Sequence, residues 1–437
     1  MKEGNGGPMT PEQKHIAKWQ IPKPPEFIVT FIQVIENALP PESLHQEGAS
    51  CRIGTKIYII GGSNATLHEY SAQYAHNNMD VVINSARGSG VVTIYDMEDM
   101  SVKFGPTIPY QVNHASCALA PDGVTLHVTG GYNQGARNPE ELAHAHHFSF
   151  DTSVKDSVWV KKADMPLRTG AHGCAFMADG HMYCVGGGKS QWGPFRTDLM
   201  IYDPSVDMWE MGPSMETPRD HLYETVTAID GGFRLYVAGG RSHTQKHAIR
   251  ESSPQVFSNV NTVEIYNLKT KSWRRMRDLS AVRGAIAVIP YHRRGLDEVP
   301  NLLLIGGEEF LGLSGSAFRI IDEYDVQNDL YFCLPPLAWP YFGGGLGIHD
   351  GKLHVVGGGE WLGLSASRRV QVYDLKKAPP PKHCFYEPTP VFDQWERTWD
   401  KVLPWPDINN YQSRLNYEWH SINRAEYEDI EKWRIGT

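Results

Sequence analysis

Leu302-Leu303-Leu304-Ile305-Gly306-Gly307 is a short apolar run closed by a glycine pair, and five other stretches repeat it. They are Ile57-Tyr58-Ile59-Ile60-Gly61-Gly62, Leu126-His127-Val128-Thr129-Gly130-Gly131, Met182-Tyr183-Cys184-Val185-Gly186-Gly187, Leu235-Tyr236-Val237-Ala238-Gly239-Gly240 and Leu353-His354-Val355-Val356-Gly357-Gly358. Successive pairs stand 51 to 69 residues apart. Each is followed by an apolar strand ending in an aromatic plus Asp or Asn: Tyr95-Asp96, Phe150-Asp151, Tyr202-Asp203, Tyr266-Asn267, Tyr324-Asp325 and Tyr373-Asp374. A further aromatic follows at Trp159, Trp209, Trp273 and Tyr331, with Phe104 and Phe385 as weaker stand-ins in copies 1 and 6.

Self-similarity at this period means stacked supersecondary units. Glycine pairs let a crowded inner strand exit sharply. The Asp or Asn bonds the amides of the next turn, and the large aromatic fills a wedge between neighbouring units. The pattern predicts an all-β, six-bladed β-propeller with four antiparallel strands per blade, since radial closure leaves few free edges. A sandwich with repeated Gly-Gly turns is the competing reading, and three signals in register through six copies argue against it. Over about residues 45–390 the set resembles the Kelch family.

Bulk properties agree. The 437 residues carry 42 Gly, 29 Pro and 11% aromatics, a composition of short strands and tight turns. A net charge of −9 argues against wrapping nucleic acid, and no run approaches a membrane-spanning length. The first twenty residues hold no apolar signal core. None of the six cysteines has CxxC spacing, so reduced thiols and a cytoplasmic location are expected, with a secreted protein whose signal is trimmed as the alternative. Cys51, Cys117 and Cys174 fall on inner strands and read as small buried hydrophobes. Three segments are expected: an arm and packing or closing segment (1–45), the propeller (46–390), and an extension (391–437) packed on the propeller. That extension holds five of the twelve Trp, too many for a solvated tail.

The Kelch resemblance places the loops after the glycine pairs and the crossovers between blades on one face, at the mouth of the central channel. Arg168, Arg219 and Arg283 stand on crossovers where many Kelch repeats have Arg; they are ligand-binding candidates, or they bond carbonyls between blades. His114, His172 and His221 lie near the starts of inner strands as acid–base candidates, against a packing role; Tyr223 or Glu224 competes with His221 in alignment. Ser63, Tyr132, Lys189, Arg241, Glu308 and Glu360 follow the glycine pairs, with Glu309 and Trp361 next to the last two. Copies 5 and 6 share a loop, Glu309-Phe310-Leu-Gly-Leu-Ser314 and Glu360-Trp361-Leu-Gly-Leu-Ser365. The mouth is expected to be polarised, with Arg and His from blades 2–4 and Glu from blades 5 and 6. Arg forks onto carboxylate or phosphate, while His beside Glu serves acid–base chemistry.

A divalent metal is possible, with His144 and His146 as the candidates, because His-x-His on a strand sets two imidazoles on one face. Galactose oxidase relatives share this propeller type, but their Tyr-His pair starts an inner strand. Here Tyr291-His292 ends one and Asn113-His114 lacks the Tyr, so a copper-radical site is not expected. Plant nitrile-specifier proteins hold iron through Glu, Asp and Cys four residues apart. Asp325, Asp329 and Cys333 share the interval, but on an ordinary turn and strand and without the Glu. Two functions remain. One is a binder of a small polar or anionic molecule, leaning to an isomerase, lyase or oxidase. The other is a protein-interaction propeller capturing an acidic peptide.

Overall fold

The computed structural model describes residues 31–43, 45–63, 88–133, 143–190, 193–243, 257–292, 300–311, 314–360, 366–379 and 382–383. Of the two units into which the chain divides, Met1–Cys384 and Phe385–Thr437, all described residues lie in the first. The expectations for the far N-terminal arm, the Trp-rich extension and Trp361 therefore fall outside them. No helix among the described residues is long and apolar enough to cross a membrane.

Six four-stranded antiparallel sheets are the predicted blades. Blade 1 runs Ala49–Ile53, Lys56–Ile60, Val92–Asp96 and Val102–Gly105 from the axis outward. The inner strands of blades 2 to 6 are Ser116–Leu119, Gly173–Phe176, Thr227–Ile229, Ala287–Tyr291 and Gly345–His349. Each inner strand touches the next, and that of blade 6 touches that of blade 1, so the ring is closed. Blade 6 takes its outer strand from the start of the chain. Ile32–Ile35 pairs antiparallel with Val370–Asp374, Ile32 opposite Tyr373. In blade 5, Lys382–His383 adds a fifth strand beside Leu330–Leu334.

All three repeat signals have a physical role. In every copy the Asp or Asn accepts the amide two residues on, at 2.8 to 3.1 Å. The aromatic on the outer strand reaches into the preceding blade: Trp159, Trp209 and Trp273 donate to the carbonyls of Pro106, Ala163 and Pro213. Glycine is compulsory at Gly306, where φ is 61° and a Cβ would lie 2.0 Å from the Tyr341 carbonyl oxygen.

Cysteine chemistry corrects the sequence expectation. Cys51 and Cys117, on adjacent inner strands of blades 1 and 2, form a disulfide; Cys174 and Cys184, opposite each other in blade 3, form another. Cys333 is disulfide-bonded as well. Cys51, Cys117, Cys174 and Cys184 are buried, as expected of small hydrophobes, and Cys333 is partly so, but none of the five is a reduced thiol.

Candidate functional site

Around the channel the six blades enter their inner strands through equivalent residues: Glu47, His114, Ala171, His221, Ala285 and Gly343. All have φ between 49° and 61°, the left-handed region that most side chains avoid. Backbone bonds tie this ring together. Glu47 N donates to Gly343 O at 2.6 Å, His114 N to Glu47 O at 2.6 Å, Ala171 N to His114 O at 2.8 Å and Ala285 N to His221 O at 3.0 Å. The ring residue stands two positions before its strand in five blades and six before it in blade 4. Blade 4 thus carries an insertion, and its turn places Tyr223 and Glu224 against the centre. Glu224 O accepts from Val288 N, and Thr225 Oγ1 donates to Ile286 O.

A second tier comes from the residues that follow the glycine pairs. Each forms a bridge with the residue before the ring position: Gln46 with Ser63, Asn113 with Tyr132, Gly170 with Gly188, Asp220 with Arg241, Gly284 with Glu308, and Phe342 with Gly359. Blades 3 and 6 put only glycine, alanine and one phenylalanine at these positions. The polar groups come from blades 1, 2, 4 and 5.

They converge. His114 and His221 lie two blades apart, yet their ring centroids are 5.0 Å apart, because the ring residue between them is Ala171. His114 Nε2 faces Glu47 Oε1 at 3.2 Å, and its Nδ1–H donates to Asn113 Oδ1 at 2.9 Å. His221 Nδ1 faces Asp220 Oδ1 at 3.0 Å, and Nε2 faces Glu308 Oε1 at 3.5 Å. Arg241 forks onto Asp220, Nε and Nη2 donating at 3.1 and 2.8 Å. The rings of Tyr132 and Tyr223 flank His114 at 5.3 and 5.4 Å. All nine side chains are at most 5% exposed, a degree of burial that charged residues reach only when paired. The Tyr223 hydroxyl and Asn113 Nδ2 have no hydrogen-bond partner among the described residues.

Electrostatics divide the acids. Burial alone would raise Asp220, but Arg241 and His221 outweigh it and hold the carboxyl at about 2. Burial likewise works against Glu47, and His114, with His221 and Arg241, brings it below the usual range. Burial followed by Arg241 lowers His221. Glu224 is different. Burial drives it well above the carboxylate range, only partly opposed by the Tyr341 hydroxyl, which donates to it at 3.3 Å. Burial thus favours the neutral, protonated form of this carboxyl.

Several predicted site residues stand elsewhere. Arg219 and Arg283 point into their own blades, two residues before the ring position. Arg219 donates to the carbonyls of Gly239 and Thr262 and pairs with Glu264 at 2.9 Å. Arg283 donates to Gly306 O and pairs with Asp322 at 2.6 Å. His45 holds the same place in blade 1, bonded to Gly61 O and Thr93 Oγ1. These side chains clasp the inner strand to its blade, the carbonyl-bonding alternative, and stand apart from the central cluster. Arg168 is exposed, one residue off the position, which Thr169 takes.

His172 is one residue past the ring, where blades 4 and 5 have the core residues Leu222 and Ile286. It is buried between blades 2 and 3, 2.9 Å from Thr129 Oγ1, away from the mouth. Its ring nitrogens and the sulfurs of Cys174 and Cys184 would suit a metal, but those sulfurs are bonded to each other. Glu309 is half-buried on Glu308–Leu311, and its neighbour Glu308 is the residue turned to His221. Glu360 pairs with Arg369 and accepts from Ser367 Oγ at 2.5 Å, outside the central cluster. His144 and His146 stack at 4.8 Å against Tyr110. The Lys161 ammonium lies 3.3 Å from His146 Nδ1 and is bonded to Asp164.

Sequence reasoning missed Glu47 and Asp220, so the mouth is not polarised as expected. Glu47 was signalled: it stands two residues before Ala49, as His114 stands two before Ser116.

Ring closure, blade register and a sealed polar centre define a six-bladed β-propeller with one candidate site on its axis. Residues 171–216 match the Kelch motif model. The chain is thus a six-bladed β-propeller whose third blade carries a Kelch motif. It is similar to Kelch-like protein 36 of Bos taurus, 24% identical over 50% of this chain and 40% of that protein. It is also similar to N-(sulfonatooxy)prop-2-enimidothioate sulfolyase of Thlaspi arvense, 24% identical over 40% of this chain and 46% of that protein. The matches thus span less than half the length of either relative. Among solved structures, that of YjhT superposes with a TM-score of 0.52 at 15% identity, covering 74% of this chain and 93% of that one.

Proposed function

We propose that the channel mouth binds a small polar or anionic molecule and acts on it by proton transfer. One observation carries this reading: acid, imidazole and guanidinium groups from four blades are sealed together beside polar atoms unpaired among the described residues, the Tyr223 hydroxyl and Asn113 Nδ2. Burial on that scale admits a small molecule or an ion and refuses a peptide side chain. In this reading Arg241, pre-set by Asp220, and Tyr223 orient the ligand, while Glu224, whose protonated form burial favours, is the proton donor. That one relative is named a sulfolyase fits a Kelch propeller working as an enzyme. The disulfides favour an oxidising compartment over the cytosol.

A protein-interaction role is the second reading. The exposed apolar side chains Val158, Val160, Met208 and Met211 on the outer edges of blades 2 and 3 favour it. Its acidic-peptide form relied on Arg219 and Arg283, which are engaged inside the blades.

Calorimetry with inorganic phosphate, malonate and glycine as probes tests the first reading. At least one is expected to bind. Tyr223→Phe and Glu224→Gln, which preserve shape, should each weaken it by about tenfold, the loss of roughly one buried hydrogen bond. Failure of all three probes, or unchanged affinity in both variants, would overturn it.

A further inference from the structure

We propose that Glu47, His114 and His221 form a binding site for a divalent first-row transition metal. One ligand atom from each lies within 4.8 Å of the other two. The donor set, two imidazole nitrogens and one carboxylate oxygen, leaves coordination positions open and suits Fe(II), Zn(II), Mn(II) or Co(II).

Orientation of the histidines is the second, independent observation. A metal-binding imidazole almost always donates its other ring N–H to an oxygen that fixes its tautomer. Both rings are held that way. His114 gives Nδ1–H to Asn113 Oδ1 at 2.9 Å and leaves Nε2 toward Glu47. His221 gives Nδ1 to Asp220 Oδ1 at 3.0 Å and leaves Nε2 on the side of Glu308, at 3.5 Å from its Oε1. Asp220 is itself fixed by the Arg241 fork, a further layer of support. Glu308 is then placed as a fourth ligand.

Charge argues the same way. Among the described residues at the centre, the three carboxyl groups of Glu47, Asp220 and Glu308 face one guanidinium and two imidazoles. A divalent cation neutralises such a set without requiring both imidazoles to be protonated. The unpaired Tyr223 hydroxyl, its ring 5.4 Å from that of His114 and 6.1 Å from that of His221, flanks the open side.

The metal does not depend on the small-molecule reading. Metal without any probe bound would leave that reading to fall alone, and probe binding by metal-free protein would leave the metal to fall alone. The full-length protein is stripped with chelator, reloaded separately with Zn2+, Co2+, Fe2+ and Mn2+, and its metal content measured. One equivalent of at least one ion is expected. His114→Asn and His221→Asn, chosen because Asn tolerates positive φ, and the isosteric Glu47→Gln should each weaken it by about 100-fold or more. Asp220→Asn should weaken it by about 10- to 100-fold, as loss of an outer-shell partner does. The Co2+ form should show ligand-field bands without sulfur-to-cobalt charge transfer, which separates this site from His172, Cys174 and Cys184. If the variants do not fold, that wild-type spectrum decides. Stripped protein that binds none of the four ions, folded histidine variants that bind as wild type does, or a sulfur charge-transfer band would overturn the proposal.

Discussion

Arg283 Nη2 lies 2.6 Å from Asp322 Oδ2, and both side chains are wholly buried. Burial raises Asp322, and Arg283 is its main opposing influence. Arg219 repeats the arrangement with Glu264 one blade earlier. Removing one partner strands a buried charge, which costs about 3–5 kcal/mol. Arg219→Ala and Arg283→Ala are therefore expected to lower the free energy of unfolding by that amount each in urea titrations. Probe affinity at the mouth should survive in whatever fraction stays folded. Near-wild-type stability would show that the clasps are dispensable.

Acid should unfold the propeller from an unusually high pH. Burial lowers His172 and His147 to about 3, and His45, His127, His144 and His354 to about 4. Their folded values lie below the unfolded value of 6.5, so between these limits the unfolded chain binds more protons. Stability is then full above pH 6.5 and falls as pH drops toward 4. A wholly buried histidine such as His172 contributes a slope of about 1.4 kcal/mol per pH unit. Unfolding free energies at pH 7, 6 and 5 check this, and His172→Gln should flatten the slope by about that much. A flat profile over the range would mean that these rings stay solvated or paired.

Reduction should weaken the ring at one seam. Cys51–Cys117 joins the inner strands of blades 1 and 2 across 66 residues of sequence, and chain-entropy arguments give such a loop about 4 kcal/mol. Alkylation under denaturing, non-reducing conditions should leave Cys51, Cys117, Cys174 and Cys184 unmodified. Dithiothreitol should lower the thermal midpoint, and Cys51→Ala should reproduce most of the drop. Full alkylation without reductant would return these residues to free thiols.

Periodicity made the fold legible. Glycine pair, Asx turn and wedge aromatic are each dictated locally, so six copies in register identify six blades without tertiary information. The site was legible only in part. His114, Tyr132 and Arg241 stood out because residue type and position in the repeat agree. His172 and the two arginines stand apart from the cluster for one reason: a shift of one or two residues along the chain swings a side chain from the axis into the seam between sheets. Glu47 was hidden in a segment that precedes the first clear repeat. The meeting of His114 with His221 depends on the small size of Ala171, a fact about three blades at once.

The pairing of Ile32–Ile35 with Val370–Asp374 joins the first described strand to the last blade. During synthesis, Ile32–Ile35 leaves the ribosome more than three hundred residues before its partner exists. Until then both edges are open templates for pairing with other chains. Assembly is thereby all-or-none at its final step, and the hazard for this molecule lies in the interval before the circle closes.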